Sequence, residues 1–396
     1  MIKVEREFLN ILSEKHYNDF FIANNNSHLL NELYRNEKNP DKKSFYYDII
    51  DNIHDIITGA PTRLRELIEY LFGRHERIMY AFTFYNIEKK SISIDIRNIN
   101  RRIATAKKNI IKYSHAKDTQ KLYSVKLVVE TIKKYQKLKY AEDLKKHRMV
   151  AEEIINDFSE IFNYEAFTSQ PKHAWGAYTL ANELQVNVCP YCNRQYTHTF
   201  VGEEGGSMRP QFDHFFAKSI YPFFSISFFN LIPSCYICNS SFKSDKDFYL
   251  EEHINPYEEG FDDKVKFSVQ FLKGSKTKID YVSLWFTPHS EVFRLRLIDS
   301  YNDKDFSKRA KGSIKTFHLE EIYEQCHSDY VSELLIKSRE YNEDAIDFLM
   351  LAFRDLFVRR EDVIRLVTNN FVALNDLGKR PLAKLTRDIT REFGIQ

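Results

Sequence analysis

Between Gln211 and Asp245 the chain reads QFDHFFAKSIYPFFSISFFNLIPSCYICNSSFKSD. An acid and a histidine stand side by side at Asp213 and His214. Asn230 follows sixteen residues after the histidine, and Asn239 comes nine further on, directly behind the second cysteine of Cys235-Tyr-Ile-Cys238. A matching pair, Cys189-Pro-Tyr-Cys192, lies upstream. Each CxxC places two thiolates on a tight knuckle, and two knuckles together offer the tetrahedral sulfur set that zinc prefers. Four thiolates leave no open coordination position, so Cys189, Cys192, Cys235 and Cys238 are expected to hold a structural Zn²⁺. Redox chemistry is disfavoured because there are two pairs and no thioredoxin-like context. The fifth cysteine, Cys326, sits beside His327 in helical text and reads as a core residue or an inert thiol.

The ordered set Asp213-His214, Asn230-Leu231, and Cys235 to Cys238 followed by Asn239 and Lys243 resembles the HNH (His-Me finger) endonuclease family. Two departures from the commonest pattern are Ala217 in Ala217-Lys218-Ser219, where a proline is usual, and Asn239 where many members carry His. The resemblance implies a treble-clef-like ββα-metal core: a hairpin carrying the Asp-His pair, packed on a helix that starts near the last CxxC. It also implies roles. His214 is the general base, neutral near pH 7 because an unperturbed imidazole titrates at about 6.5. Asp213 and Asn239 are oxygen ligands for a catalytic Mg²⁺ or Mn²⁺. Asn230 holds the histidine loop, and Lys243 and Lys218 are expected to contact nucleic acid. The CPYC, DHFFAKSIYP and NLIPSCYICN runs look most like HNH subunits of bacterial anti-phage systems, the Septu and retron-associated kind, which work beside an ABC or SMC-like ATPase. This likeness covers some seventy of 396 residues.

Outward from this island the text is helical. Residues 1 to 180 show apolar positions at three- and four-residue intervals, as in Leu64, Leu67, Ile68 and Leu71 after the Pro61-Thr62 start. The net charge of +2 is uneven: residues 101 to 148 carry fifteen Lys and Arg against four Asp and Glu. Lys133, Lys134 and Lys137, with Tyr135 and Tyr140 interleaved, suggest a basic helix face for a phosphate backbone, or equally for an acidic protein. Past the island, Val265, Phe267, Val269 and Phe271 alternate with polar residues, a turn surrounds Gly274, and Ile279, Tyr281, Ser283 and Trp285 alternate again, which predicts a β-hairpin. From about 305 helices return, with Ile346, Leu349, Met350 and Phe353 as expected core contacts.

The expected architecture is therefore mainly α with a small α+β core: a helical domain over 1–180, the zinc-bearing core over 181–260, a β-hairpin extension over 261–304, and a helical domain over 305–396. An apolar fraction of 43% with few Gly and Pro excludes long disorder. No apolar run reaches membrane-spanning length, and MIKVEREFLN carries acids where a secretory signal is basic, so a cytoplasmic protein with no membrane partner is expected. The function expected is an endonuclease with DNA favoured as substrate, working alone, as a homo-oligomer, or beside an ATPase. RNA as substrate, or a catalytically silent zinc binding module, are the other readings. His198 and His253 receive no role and read as surface or packing histidines.

Overall fold

The computed structural model describes residues 1–4, 8–82, 142–203, 205–244, 246–249, 252–272 and 292–395, with side chains of 142–148 excepted. Most of the basic stretch, including Lys133, Lys134 and Lys137, and the strand expected over Ile279 to Trp285 lie outside the described residues. The described chain is mainly helical with three short two-stranded sheets.

Five helices open the chain: α1 (Leu9–His16), α2 (Asn26–Asn36), α3 (Pro40–Asp51), α4 (Ile53–Thr58) and α5 (Pro61–Arg74). α1 runs on through a π-helical turn, Tyr17–Ile22. Local chemistry sets the starts. Asn39 caps α3 by accepting from the backbone N–H of Asp41 and Lys42, with Pro40 at the first helical position. Pro61 opens α5, whose Leu64, Leu67, Ile68 and Leu71 are all buried, as their spacing predicts. α6 (Glu142–Ile161) packs on α2, and the Lys42 ammonium on α3 pairs with its Glu153 and Asp157. Short α7 (Tyr164–Thr168), capped by Asn163, and α8 (Ala177–Leu184) lead into the first cysteine knuckle.

Strands β1 (Phe200–Val201) and β2 (Ser207–Met208) form an exposed ribbon. β3 (Gln211–His214) pairs antiparallel with β4 (Leu231–Ser234), Asp213 opposite Ile232 and His214 opposite Leu231. A seven-residue π-helical segment, Ile237–Lys243, follows β4 and touches β3. The aromatic run between β3 and β4 enters the helical bundle: Phe223 packs on Phe45, and Phe167 meets Phe212. One apolar cluster runs unbroken from Met1 to Leu319. The sequence boundary near residue 180 is thus not a packing boundary, because ten buried apolar residues of the loop 215–230, six of them Phe, complete the core of the helices around them.

β5 (Val265–Phe271) pairs over its whole length with β6 (Phe293–Asp299). Phe293, Leu295 and Leu297 alternate with Arg294 and Arg296, the same period-2 signal one strand further on. This hairpin packs on α10 (Leu319–Glu340) and α13 (Ala383–Glu392) in a second core, while α9 (Lys304–Thr316) joins the first. α11 (Glu343–Ala352) and α12 (Arg360–Thr368) enclose a third. There Ile346 is buried and Leu349 and Met350 pack against it, but Phe353 is 51% exposed. α11 ends at Ala352, and the backbone turn at Phe353 carries its ring off the apolar face.

Candidate metal centre and active site

The two knuckles meet. All four sulfurs, of Cys189, Cys192, Cys235 and Cys238, lie within 4.8 Å of one another, with Cys192 and Cys235 at 4.0 Å. Zn–S bonds of about 2.3 Å in a tetrahedron need sulfurs a little under 4 Å apart, so one metal ion such as zinc fits this set. Backbone N–H groups of Arg194 and Cys238 point at the Cys192 and Cys235 sulfurs, at 3.4 and 3.5 Å, as they would toward thiolates. Burial pushes the Cys189 thiol well up, while hydrogen bonds from neighbouring thiols hold Cys192 and Cys235 below the ordinary value. A bound cation resolves that competition by favouring all four thiolates. Cys326 stands apart and is exposed, so it is no core residue.

The first knuckle is gripped from the far end of the chain. Asn193, in a left-handed turn at φ 51°, donates its amide to Leu377 O and accepts from Lys384 N–H, and Tyr323 donates its hydroxyl to Cys192 O. Nothing local in the sequence around Cys189 announces those partners.

Each knuckle also sends one side chain to the Asp213-His214 pair. Tyr191, inside Cys189-Pro-Tyr-Cys192, donates its hydroxyl to Asp213 Oδ2 at 2.6 Å. Lys243, at the end of the helical segment begun by the second knuckle, places its ammonium 2.9 Å from Asp213 Oδ1 and donates to His214 O. Lys243 and Asp213 are each 1% exposed. Lys243, expected to contact nucleic acid, is therefore a buried positioning residue, although it borders the site cavity.

His214 is buried, and its Nε2 lies 2.8 Å from the Ser225 carbonyl oxygen. A carbonyl only accepts, so Nε2 carries the proton and Nδ1 keeps its lone pair. Burial, with the Lys218 and Lys243 ammoniums nearby, lowers its pKa to about 3, so the imidazole is neutral at pH 7. Asn230, fully buried, accepts from Phe216 N–H at 2.7 Å and donates to the carbonyls of Phe216 and Phe224. It closes the loop that begins with His214 and supplies Ser225. The next carbonyl, Ile226 O, is bound by His16 Nε2 at 2.7 Å, and Trp175 Nε1 donates to His16 Nδ1 at 3.0 Å. Ser227 donates its hydroxyl to Ile56 O. The acceptor that fixes the histidine tautomer is thus pinned from α1 and α4.

Around His214 opens a cavity of about 460 Å³ bordered by Asp213, Asn239, Lys218, Gln211, Arg209 and Tyr164, among others. Asp213 and Asn239, the pair expected to hold a catalytic cation, share this cavity, with Asn239 donating its amide to Gln211 Oε1 at 2.9 Å. Both oxygens of Asp213 are already engaged, and its charge is balanced by Lys243. A divalent cation at Asp213 therefore does not fit the donors as they stand; Lys243 must give way first. Lys218 is exposed at the rim, its Nζ 4.6 Å from the Tyr164 ring centroid. His198 is an exposed residue stacked on Tyr196, and His253 is packed on Phe248 and bonded to Thr316, so neither reaches the cavity. A larger cavity of about 560 Å³ lies between β5, α12 and α13, where Asp388 and Glu392 accept from the backbone N–H groups of Phe267 and Val269.

Fold and site together define a mainly helical protein with a buried four-thiol centre clipped to a hairpin whose Asp-His pair opens on a cavity. No protein-family model, curated protein or solved structure matches the chain. No described helix is long and apolar enough to cross a membrane.

Proposed function

We propose that this protein is a nuclease of the HNH type that hydrolyses phosphodiester bonds, DNA favoured, with His214 as the base. One observation carries the reading: a buried, neutral histidine whose Nε2–H is fixed on Ser225 O, leaving Nδ1 as the proton acceptor beside a cavity rimmed by cations. The order of strand, Asn-closed loop, strand, knuckle and helical segment supports it, although the last element is a π-helical turn where the resemblance implies an α-helix. In the reaction, His214 Nδ1 takes a proton from water as the water oxygen bonds to phosphorus. The bond from phosphorus to one sugar oxygen breaks, that oxygen takes a proton from solvent to leave as the alcohol, and Lys218 stabilises the charge spread over the phosphoryl oxygens.

The four cysteines would hold Zn²⁺, which supplies rigidity and no chemistry. Mg²⁺ or Mn²⁺, the cation the resemblance implies, enters only by displacing Lys243 from Asp213, and no step above is routed through it. The setting implied, an anti-phage effector in the cytoplasm beside an ABC or SMC-like ATPase, belongs to the same proposal.

The test is incubation of purified protein with plasmid DNA and with RNA, in Mg²⁺, in Mn²⁺ and in EDTA. Cutting of DNA that depends on the divalent ion is expected. Cutting of RNA alone replaces the substrate, cutting in EDTA removes the divalent ion, and no cutting with or without the ATPase leaves a zinc binding module.

A further inference from the structure

Beyond the reacting centre, three cations alternate with aromatic rings, and two of them, Arg209 and Lys218, border the cavity. Lys172 Nζ stands 5.5 Å from the centroid of the Tyr178 ring, and Arg209 Cζ stands 5.5 Å from the same ring. Arg209 also lies 5.9 Å from the Phe212 centroid and borders the cavity with Tyr164, whose ring carries Lys218 at 4.6 Å and meets the His214 ring edge-on at the same centroid distance. The order Lys172, Tyr178, Arg209, Tyr164, Lys218 ends at the proposed base.

Among the described residues none of these three cations has a carboxylate within ion-pair distance. The one hydrogen bond of the Arg209 guanidinium goes to Pro210 O, and Glu165 acts on Lys218 only from a distance. Elsewhere the chain pairs its cations freely, as at Arg63 with Asp55 and Arg309 with Glu259. The rings hold the three cations in place by cation–π contact without consuming their charge. Tyr178 is itself steadied by its hydroxyl on Ser207 at 3.1 Å, and Tyr164 by its packing on Phe167. Lys172 and Arg209 thus share the one Tyr178 ring.

We propose that Lys172, Arg209 and Lys218 form a phosphate track that binds the backbone of a polynucleotide by charge alone and delivers one phosphodiester to His214. This rests on the nuclease reading for its destination, but not for the binding itself. It adds Lys172, Arg209, Tyr164 and Tyr178 to the site, and it assigns binding through phosphates, contacts that carry no sequence information.

The experiment uses the full chain carrying His214→Ala, in EDTA, and measures binding of a labelled single-stranded oligonucleotide and its duplex across a salt series. Lys172→Ala, Arg209→Ala and Lys218→Ala are each added, with exposed Lys311→Ala on α9 as a charge-matched control. Each track variant is expected to weaken binding several-fold for unrelated sequences alike. Each should also lower the slope of log affinity against log salt by roughly 0.7 to 0.9, while Lys311→Ala changes neither. Unchanged affinity and slope in all three, no binding by the parent, or an equal loss in Lys311→Ala overturns the track. Cleavage by the wild type alongside unchanged binding in the variants sinks the track and leaves the nuclease. Slope loss without any cleavage keeps the track and sinks the reaction.

Discussion

At the scale of single residues, the site is held by side chains that touch Asp213 and His214 from behind. Tyr191→Phe removes one hydroxyl from a carboxylate that also has Lys243, so a loss of about 1–2 kcal/mol in stability is expected. Zinc content should stay the same and cleavage should fall. Wild-type turnover in Tyr191→Phe would show that Asp213 needs no such support. Lys243→Ala is the harsher change: it strands a buried carboxylate, and a cost of about 3–5 kcal/mol is expected in a denaturant melt. A melt within about 1 kcal/mol of wild type would mean that the Lys243–Asp213 pair does not hold the site together. Little of this was legible beforehand. The sequence shows Asp213, His214, Asn230 and Asn239 as an ordered set because their spacing is local. That Lys243 turns inward to Asp213, and that Tyr191 of the first knuckle joins it, depends on how two distant knuckles close on one centre. Asn230 makes three hydrogen bonds to the loop of His214, within reach of the local spacing that singled it out.

At the scale of elements, the hairpin and the two knuckles behave as one unit. Cys189→Ser is expected to lose the metal and, with it, the anchorage of Tyr191 and Lys243, so that cleavage and cooperative melting fail together. Metal analysis of the wild type should give about one zinc per chain; a zinc-free Cys189→Ser protein with full activity would refute the assignment. Knuckles and strands were readable because CxxC spacing and period-2 alternation are short-range signals. The pairing of β5 with β6 was not, because β6 lies more than twenty residues downstream and the two strands share a core with α10 and α13 that no local signal announces. Phe353 misled in the same way, since its spacing continues α11 while its backbone does not.

At the scale of the whole molecule, the helices are part of the site's support rather than an appendage. A single core passes from the first helices through the loop of His214, and no local pattern in the Phe-rich loop names the helices that cover it. His16 is the buried link, bonded to Ile226 O and Trp175, and burial lowers its pKa to about 4. A histidine depressed below its unfolded value of about 6.5 binds fewer protons folded than unfolded between those limits. Stability is therefore full above pH 6.5 and falls as pH drops toward 4, by about 3 kcal/mol from this residue. Denaturant melts at pH 7 and pH 5 should show the loss, to which His214, lowered in the same way, adds its own share, and His16→Gln should make it smaller without abolishing it; parallel pH curves for the two proteins would assign the acid sensitivity elsewhere.

The central claim is that His214 Nδ1 is the base in phosphodiester hydrolysis, and the most direct measurement is single-turnover cleavage of a labelled DNA by wild type and His214→Ala, with zinc content and melting curves taken on the same samples. A variant that binds zinc and DNA as the wild type does, melts cooperatively, and cleaves at least a hundred-fold more slowly is predicted, on the order of what a positioned base contributes. A folded, zinc-loaded variant that cleaves at the wild-type rate would contradict it.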